Sequence, residues 1–246
     1  MVYLVVHLHH SYAQAAALQA DIGQGVYVLS LASLFNRTSG WGIPAGLIIL
    51  SLVPAAAGIV RLLQLANGAA TPENARFFDA PTPVILHITA VLLFSLLGAL
   101  QFAPHLRNAC PRWHRWSGRI IVPSGLVAAL TGLWMAHFYI LPPTDGTALY
   151  ITRLIVGVWM VFALCRGYVA IRQRDIGAHR DFMLRGYAIG MGAGTQVLTS
   201  LPYFILAGEP ETAVRAGLMG AGWAINAAVA EVIICRRARA SRYALA

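Results

Sequence analysis

Long apolar runs, separated by short polar connections, dominate the chain from residue 41 onward. They cover residues 41–65, 84–103, 119–141, 149–170, 183–206 and 213–235. Each run is long enough to cross the ~30 Å hydrocarbon core of a bilayer as a helix that rises ~1.5 Å per residue. Backbone polar groups in lipid must be satisfied within the segment, so each run is predicted to be helical. The pattern predicts an all-α integral membrane bundle of about six transmembrane helices.

The first 40 residues do not follow this pattern. Their longest apolar stretch, residues 26–35, is too short to span a membrane. We interpret residues 1–40 as an interfacial or loosely ordered leader, and residues 41–246 as a single transmembrane helical domain. The composition agrees with a membrane protein, because 58% of the residues are hydrophobic and only 11% are charged.

The arginine residues are concentrated in alternate connections. The formal net charge is +9, and all 18 basic residues are arginine. They cluster at residues 107–119, 166–185 and 236–242, whereas the connections at 66–83, 142–149 and 207–212 are poorer in arginine and carry acidic residues. The positive-inside rule predicts that both termini are cytoplasmic. Because the arginines flank apolar spans, they indicate contact with the lipid bilayer, and nucleic-acid binding is not expected.

Two histidines lie at matching depth near the outer ends of consecutive spans. His87 lies about one turn into the second span, and His137 lies about one turn from the end of the third. Consecutive helices joined by a short loop are usually neighbours, so the two imidazoles are candidate ligands of one haem iron. The alternative is two separate interfacial histidines that hydrogen-bond to backbone or headgroups. Ionisable groups inside spans are costly, which favours a functional role.

A second pair of histidines lies near the predicted cytoplasmic side, and each is followed by an arginine. His114-Arg115 opens the third span, and His179-Arg180 opens the fifth. An imidazole can ligate haem iron while a neighbouring guanidinium holds a propionate through paired hydrogen bonds. The alternative is a basic interface that binds anionic lipid.

Glycines repeat every four residues in the fifth span, at Gly186, Gly190 and Gly194. Small residues on one helix face let a second helix approach closely, and they also let a flat macrocycle lie against the backbone. Four polar residues inside the spans are predicted to hydrogen-bond between helices: Gln101, Gln196, Asn226 and Glu231. For Glu231, the alternative is a pair with Arg236 or Arg237 near the cytoplasmic surface.

Two motifs carry a resemblance to a known family. The string from His114 to Arg119 reads HRWSGR, and the string from His179 to Ala188 reads HRDFMLRGYA. Over residues 81–206 the chain resembles a family of bacterial polytopic membrane proteins catalogued as a predicted membrane domain of unknown function. It is more loosely similar to the di-haem membrane cytochromes b, which implies a haem near each membrane face.

The leading functional hypothesis is a membrane protein that binds b-type haem and transfers electrons between a quinone-type carrier and a partner. The alternatives are a non-catalytic assembly factor or accessory subunit, and a small-molecule transporter. Nucleotide-binding and hydrolytic motifs such as the Walker loop and the Gly-x-Ser-x-Gly elbow are absent from the sequence. Whether the protein is an enzyme stays open at this point.

The arginine asymmetry makes a topology prediction. Fusions of a reporter enzyme that folds only after export should be active in the connections at 66–83, 142–149 and 207–212, because arginine-rich loops stay in the cytoplasm. Strong activity of a fusion near Arg174 would contradict this orientation.

Overall fold

The structure is a computed structural model, and it describes residues 40–243. The predicted leader therefore lies outside the described residues, apart from Gly40. Within the described range the chain forms nine α-helices and a short 3-10 turn at Pro143–Asp145. The α-helices are α1 (Gly42–Asn67), α2 (Ala75–Asp79), α3 (Pro81–Leu100), α4 (Pro104–Ala109), α5 (Pro111–Phe138), α6 (Gly146–Arg172), α7 (Ile176–Gly190), α8 (Gly192–Ala207) and α9 (Thr212–Tyr243).

Five helical segments in the described range are long and apolar enough to cross a membrane. They are Gly42–Asn67, Pro81–Leu100, Pro111–Phe138, Pro143–Arg172 and Thr212–Ser241. The predicted all-α membrane bundle is confirmed. The remaining apolar run, predicted as one span over 183–206, is divided between the shorter helices α7 and α8.

The division between α7 and α8 has a local cause and a tertiary one. Gly190, Gly192 and Gly194 lie within five residues, and glycine weakens a helix because its backbone loses the most freedom on folding. A broken helix inside a membrane must satisfy its freed backbone groups elsewhere. The side chain of Asn226 on α9 does this, donating to the carbonyl oxygen of Ala188 at 3.0 Å. Thr195 donates to the amide oxygen of Asn226 at 2.7 Å and so orients it.

Local sequence explains where several helices begin. Pro81, Pro104 and Pro111 occupy the first position of α3, α4 and α5, where the missing N–H of proline costs nothing. At α7 the carboxylate of Asp175 accepts a hydrogen bond from the N–H of Ala178. Pro54, Pro123 and Pro202 lie inside α1, α5 and α8.

Side-chain contacts bring alternate connections together on two sides of the bundle. On one side, Tyr139 donates to the carbonyl of Ala80, and Arg215 at the start of α9 pairs with Asp145. On the other side, Gln101 at the end of α3 donates to Ser117 near the start of α5. We call the first side outer and the second inner, after the orientation that the arginines predict.

The core lies where α3, α5, α6 and α7 meet. Its buried residues are Phe94, Ile121, Ala129, Met160, Leu164, Tyr187, Ile189 and Met191. Glycines allow this close packing, because an added Cβ at Gly125 or Gly190 would overlap the Phe94 ring. Tyr187 is buried, and its hydroxyl donates to the carbonyl of Ser95.

The predicted hydrogen bonding of the polar residues within the spans is confirmed. Gln196 donates to the carbonyl of Met219 on α9. Glu231 pairs with Arg185 of α7 through two bonds of 2.6 and 2.8 Å. The alternative pairing of Glu231 with Arg236 or Arg237 was wrong, because residues five and six positions further along a helix point to other faces.

Replacing Gly190 by leucine should strongly lower stability, because the new side chain meets Phe94 and the Met160 methyl group in a packed core. Gly217→Leu is a matched control, since the space around Gly217 is open. Thermal unfolding in detergent measures both. Equal stability of the Gly190 variant and the parent would show that this glycine is not packed as described.

Candidate functional site

A cavity of about 420 Å³ lies among α3, α5, α6, the α7–α8 break and α9, and extends to the outer side. Seven small residues form part of its wall within the bundle. These are Ala128, Ala129, Gly132 and Ala136 of α5, Gly157 of α6, and Gly190 and Ala193 at the break. Small side chains leave space between helices that larger ones would fill, so the same sequence feature that permits close packing creates this cavity.

Three arginines and one aspartate form the charged part of the cavity wall. They are Arg76, Arg153, Arg215 and Asp145. The Asp145 carboxylate is buried and accepts from Arg153 Nη1 at 2.7 Å and from Arg215 Nε at 2.8 Å. One carboxylate therefore balances one of three positive charges. The surplus favours an anionic group on any molecule that enters.

Arg76 is the least engaged of the three guanidinium groups. Its Nη1 makes a long bond of 3.4 Å to the carbonyl of Ile140. Burial lowers the pKa of the Arg76 guanidinium, and the neighbouring charge of Arg61 adds to the effect. An anion beside Arg76 would relieve this repulsion. Arg76 is therefore the arginine best placed to recognise an acidic group in the cavity.

Aromatic rings close the outer part of the cavity. Phe77 and Tyr139 both line it and meet edge to face, with ring centroids 5.4 Å apart. The guanidinium groups of Arg61 and Arg76 each lie 4.6 Å from the Phe77 ring centroid, within the range of cation–π attraction. The short helix α2 thus holds Phe77 and Arg76 at the outer end of the cavity.

His87 also lines the cavity. Its Nδ1 lies 2.9 Å from the carbonyl oxygen of Ala128 and 3.1 Å from the hydroxyl of Thr131. Because a carbonyl can only accept, Nδ1 carries the proton of the neutral ring and Nε2 keeps the lone pair. No described residue hydrogen-bonds to Nε2. His87 also lines a second cavity of about 160 Å³, beside Ser51 and Met191. The His87 side chain therefore lies between the two cavities.

His137, the predicted partner of His87, lies elsewhere. Its ring is exposed, and Nδ1 is 2.9 Å from the hydroxyl of Tyr150 on α6. On α5 it lies on the opposite face from Ala128, which His87 contacts. The structure thus places His87 at the cavity and His137 outside its lining.

On the inner side, His114 lies in the first turn of α5 and His179 in the first turn of α7. His179 Nδ1 lies 2.9 Å from the carbonyl oxygen of Gly167, which leaves Nε2 with the lone pair. Arg115 and Arg180 are both exposed. Among the described residues, no three His, Cys, Asp or Glu side chains cluster as a metal site.

The sequence reasoning missed most of the charged cavity wall. The sequence placed Asp145 only among the acidic residues of one connection and gave the three arginines no role in a site. A sequence signal exists for Asp145 and Arg153, because they lie only eight residues apart at the start of one span and can pair there. The second partner of Asp145, 70 residues away, has no sequence signal.

The fold and this cavity define a multi-pass α-helical membrane protein with a cavity of ligand size among its helices. The chain belongs to the family described as predicted membrane protein (DUF2306), whose model matches residues 84–234. That range contains both histidine pairs and extends beyond the motifs that carried the resemblance. Neither the curated proteins nor the solved structures include a significant match to the chain.

Asp145→Asn tests how much the ion pairs in the charged part of the cavity wall contribute to stability. The variant leaves two arginines without their shared carboxylate, so we expect a loss of about 2–4 kcal/mol in the free energy of unfolding. Denaturant unfolding in detergent measures it, with Glu209→Gln as the control, since Glu209 is exposed on the same side. A loss no larger than that of the control would show that Asp145 does not stabilise this region.

Proposed function

We propose that the protein binds haem b in the outer cavity, with His87 Nε2 on the iron. One observation carries the proposal: a neutral imidazole with an unused nitrogen lines a cavity whose wall also holds surplus arginine charge. Haem b is a flat, largely apolar ring with carboxylates on one edge. A cavity with a mostly apolar lining and cationic side chains at one end matches that distribution.

The donor groups fit this cofactor. Haem iron takes four nitrogens from the macrocycle, so the protein has to supply only one or two axial ligands. The cavity lining offers one imidazole, His87, and two thioethers, Met135 and Met160. A bond from Nδ1 to a backbone carbonyl fixes the ring tautomer of His87, as is common for histidines that ligate metals. Arg76, with free N–H donors, suits a propionate.

The proposal keeps one histidine of the outer pair as ligand and gives His137 no ligand role, because His137 does not line the cavity. For the inner pair, His114 and His179, haem ligation stays a prediction.

Bound haem b supplies one-electron transfer. We further propose that the protein lies in the bacterial cytoplasmic membrane with both termini cytoplasmic, and passes electrons between a quinone-type carrier and a partner.

The visible absorption spectrum of the full chain, expressed with ample haem precursor and purified in detergent, tests this function. We expect a haem b spectrum that changes on reduction. His87→Ala should lose most of the bound haem, because it removes the axial nitrogen. His137→Ala is the matched control and should keep the haem of the parent.

Two results would reject the proposal. One is a parent protein that holds no haem after expression with precursor and after addition of haem to the purified protein. The other is equal haem content in the His87 and His137 variants.

A further variant tests the role of Arg76. Arg76→Gln should weaken haem binding without abolishing the haem spectrum, since it removes a propionate contact and leaves the iron ligand in place.

The helix break favours a second candidate, a carrier of small amphipathic acids. Discontinuous helices in transporters often border the substrate site near the middle of the membrane. Here the α7–α8 break at Gly190 borders both cavities. A purified parent that is free of haem but is stabilised against heat by an amphipathic carboxylic acid would favour this candidate.

A further inference from the structure

The first two to three turns of α5 carry exposed cationic and aromatic side chains on one face. These residues, which we call the α5 basic stripe, are Arg112, Arg115, Trp116 and Arg119. They occupy positions i, i+3, i+4 and i+7 of an α-helix, a spacing that places them side by side. All four are exposed, and Trp116 keeps 66% of its surface accessible. The stripe has no part in the packed core, so its role lies at the protein surface.

No acidic side chain balances the charges of the stripe. The sequence holds no aspartate or glutamate between Asp79 and Asp145. Within residues 40–243, none of the four ion pairs that form includes an arginine of the stripe. Arg185 of α7, by contrast, is paired with Glu231. The α5 basic stripe therefore presents three uncompensated positive charges on one helix face.

The length of α5 places the stripe at the membrane surface. The helix Pro111–Phe138 has 28 residues. At ~1.5 Å per residue it is ~42 Å long, whereas the hydrocarbon core of a bilayer is ~30 Å thick. About two turns therefore lie outside the hydrocarbon, and the arginines select the first two, because charged groups are costly in lipid. Arg119 extends its guanidinium to the same level along its apolar stem, and the indole of Trp116 suits this interface.

We propose that the α5 basic stripe is a docking surface for anionic phospholipid in the leaflet on the inner side. The guanidinium groups donate to phosphodiester oxygens, and the Trp116 ring lies at the boundary between headgroups and acyl chains. Charge complementarity selects this occupant. A zwitterionic phospholipid carries the same phosphate but adds a cation, which the three arginines repel.

The proposal concerns a different part of the molecule from the outer cavity, so it is independent of the function proposed there. It gives Arg115 a lipid phosphate as its partner in place of the haem propionate that the sequence predicted. The long helix face, and not a single residue, is the binding element.

Tryptophan fluorescence of the full chain in phosphatidylcholine vesicles tests the proposal. A fixed minor fraction of the lipid carries bromine on its acyl chains, and this quencher is either phosphatidylglycerol or phosphatidylcholine. The difference between the parent and Trp116→Phe isolates the emission of Trp116. We expect brominated phosphatidylglycerol to quench this emission about fivefold more effectively than brominated phosphatidylcholine, because each nearby arginine favours an anionic lipid. High salt should reduce this preference.

Two double variants locate the preference, each measured with and without Trp116→Phe. Arg112→Gln combined with Arg115→Gln should bring the preference close to one, because it removes two of the three phosphate donors. Arg236→Gln combined with Arg239→Gln is the matched control, since both arginines are exposed near the end of another helix, α9, and the change in net charge is the same. The control should keep the preference of the parent. Circular dichroism checks that all variants are folded.

Three results would overturn the proposal. Equal quenching of parent Trp116 by the two brominated lipids would show no selection of anionic lipid, and would leave the stripe to a soluble acidic partner. Equal losses of preference in the two double variants would assign it to net charge instead of the stripe. A preference that high salt leaves unchanged would show that the arginine charges do not cause it.

Discussion

Asp145 joins parts of the chain that would otherwise repel one another. Its buried carboxylate accepts from Arg153, near the start of α6, and from Arg215, near the start of α9. Without a shared anion, two guanidinium groups at one edge of an apolar bundle would repel each other and draw in water. The ion pairs hold α6 and α9 together at the outer side, and both arginines line the cavity. Asp145 pairs with both of them, whereas Arg76 has no carboxylate partner among the described residues.

Small residues have two effects in this bundle. At Gly125 and Gly190 the missing side chain lets the Phe94 ring pack against backbone, and the core is tight there. Gly132 and Gly157 likewise admit the His87 ring and the Leu133 side chain, yet they and Gly190 also line the cavity. The same glycines therefore permit close packing and border open space, and the glycine repeat alone does not determine how much space remains.

At the break between α7 and α8, small residues both permit close packing and border the cavity. The break places Gly190 and Ala193 at the cavity wall, and the amide of Asn226 on α9 satisfies the carbonyl that the break leaves free. The outer and inner sides then differ in chemistry. The outer side has the cavity, with one imidazole and a cationic end, whereas the inner side carries His114, Asp181 and Arg237, each with one buried polar atom that lacks a hydrogen-bond partner among the described residues.

The sequence by itself determined the fold class, the approximate spans and the family, because hydrophobic run length and proline position act locally and the motifs around His114 and His179 are continuous in the chain. It also predicted that His87 is unusual, since an ionisable group inside a span is costly wherever it lies. Only the tertiary structure decided the partners. Depth along one helix can be read from residue number, but the level of a residue against a neighbouring helix, and the direction in which its side chain points, depend on packing. For that reason His87 lies in the cavity, level with Ala128 and Thr131 of α5, whereas His137 lies nearer the outer end of α5 and outside the cavity lining, so the predicted matching depth of the two histidines was wrong. For the same reason Glu231 pairs with Arg185, and Asp145 meets an arginine 70 residues away.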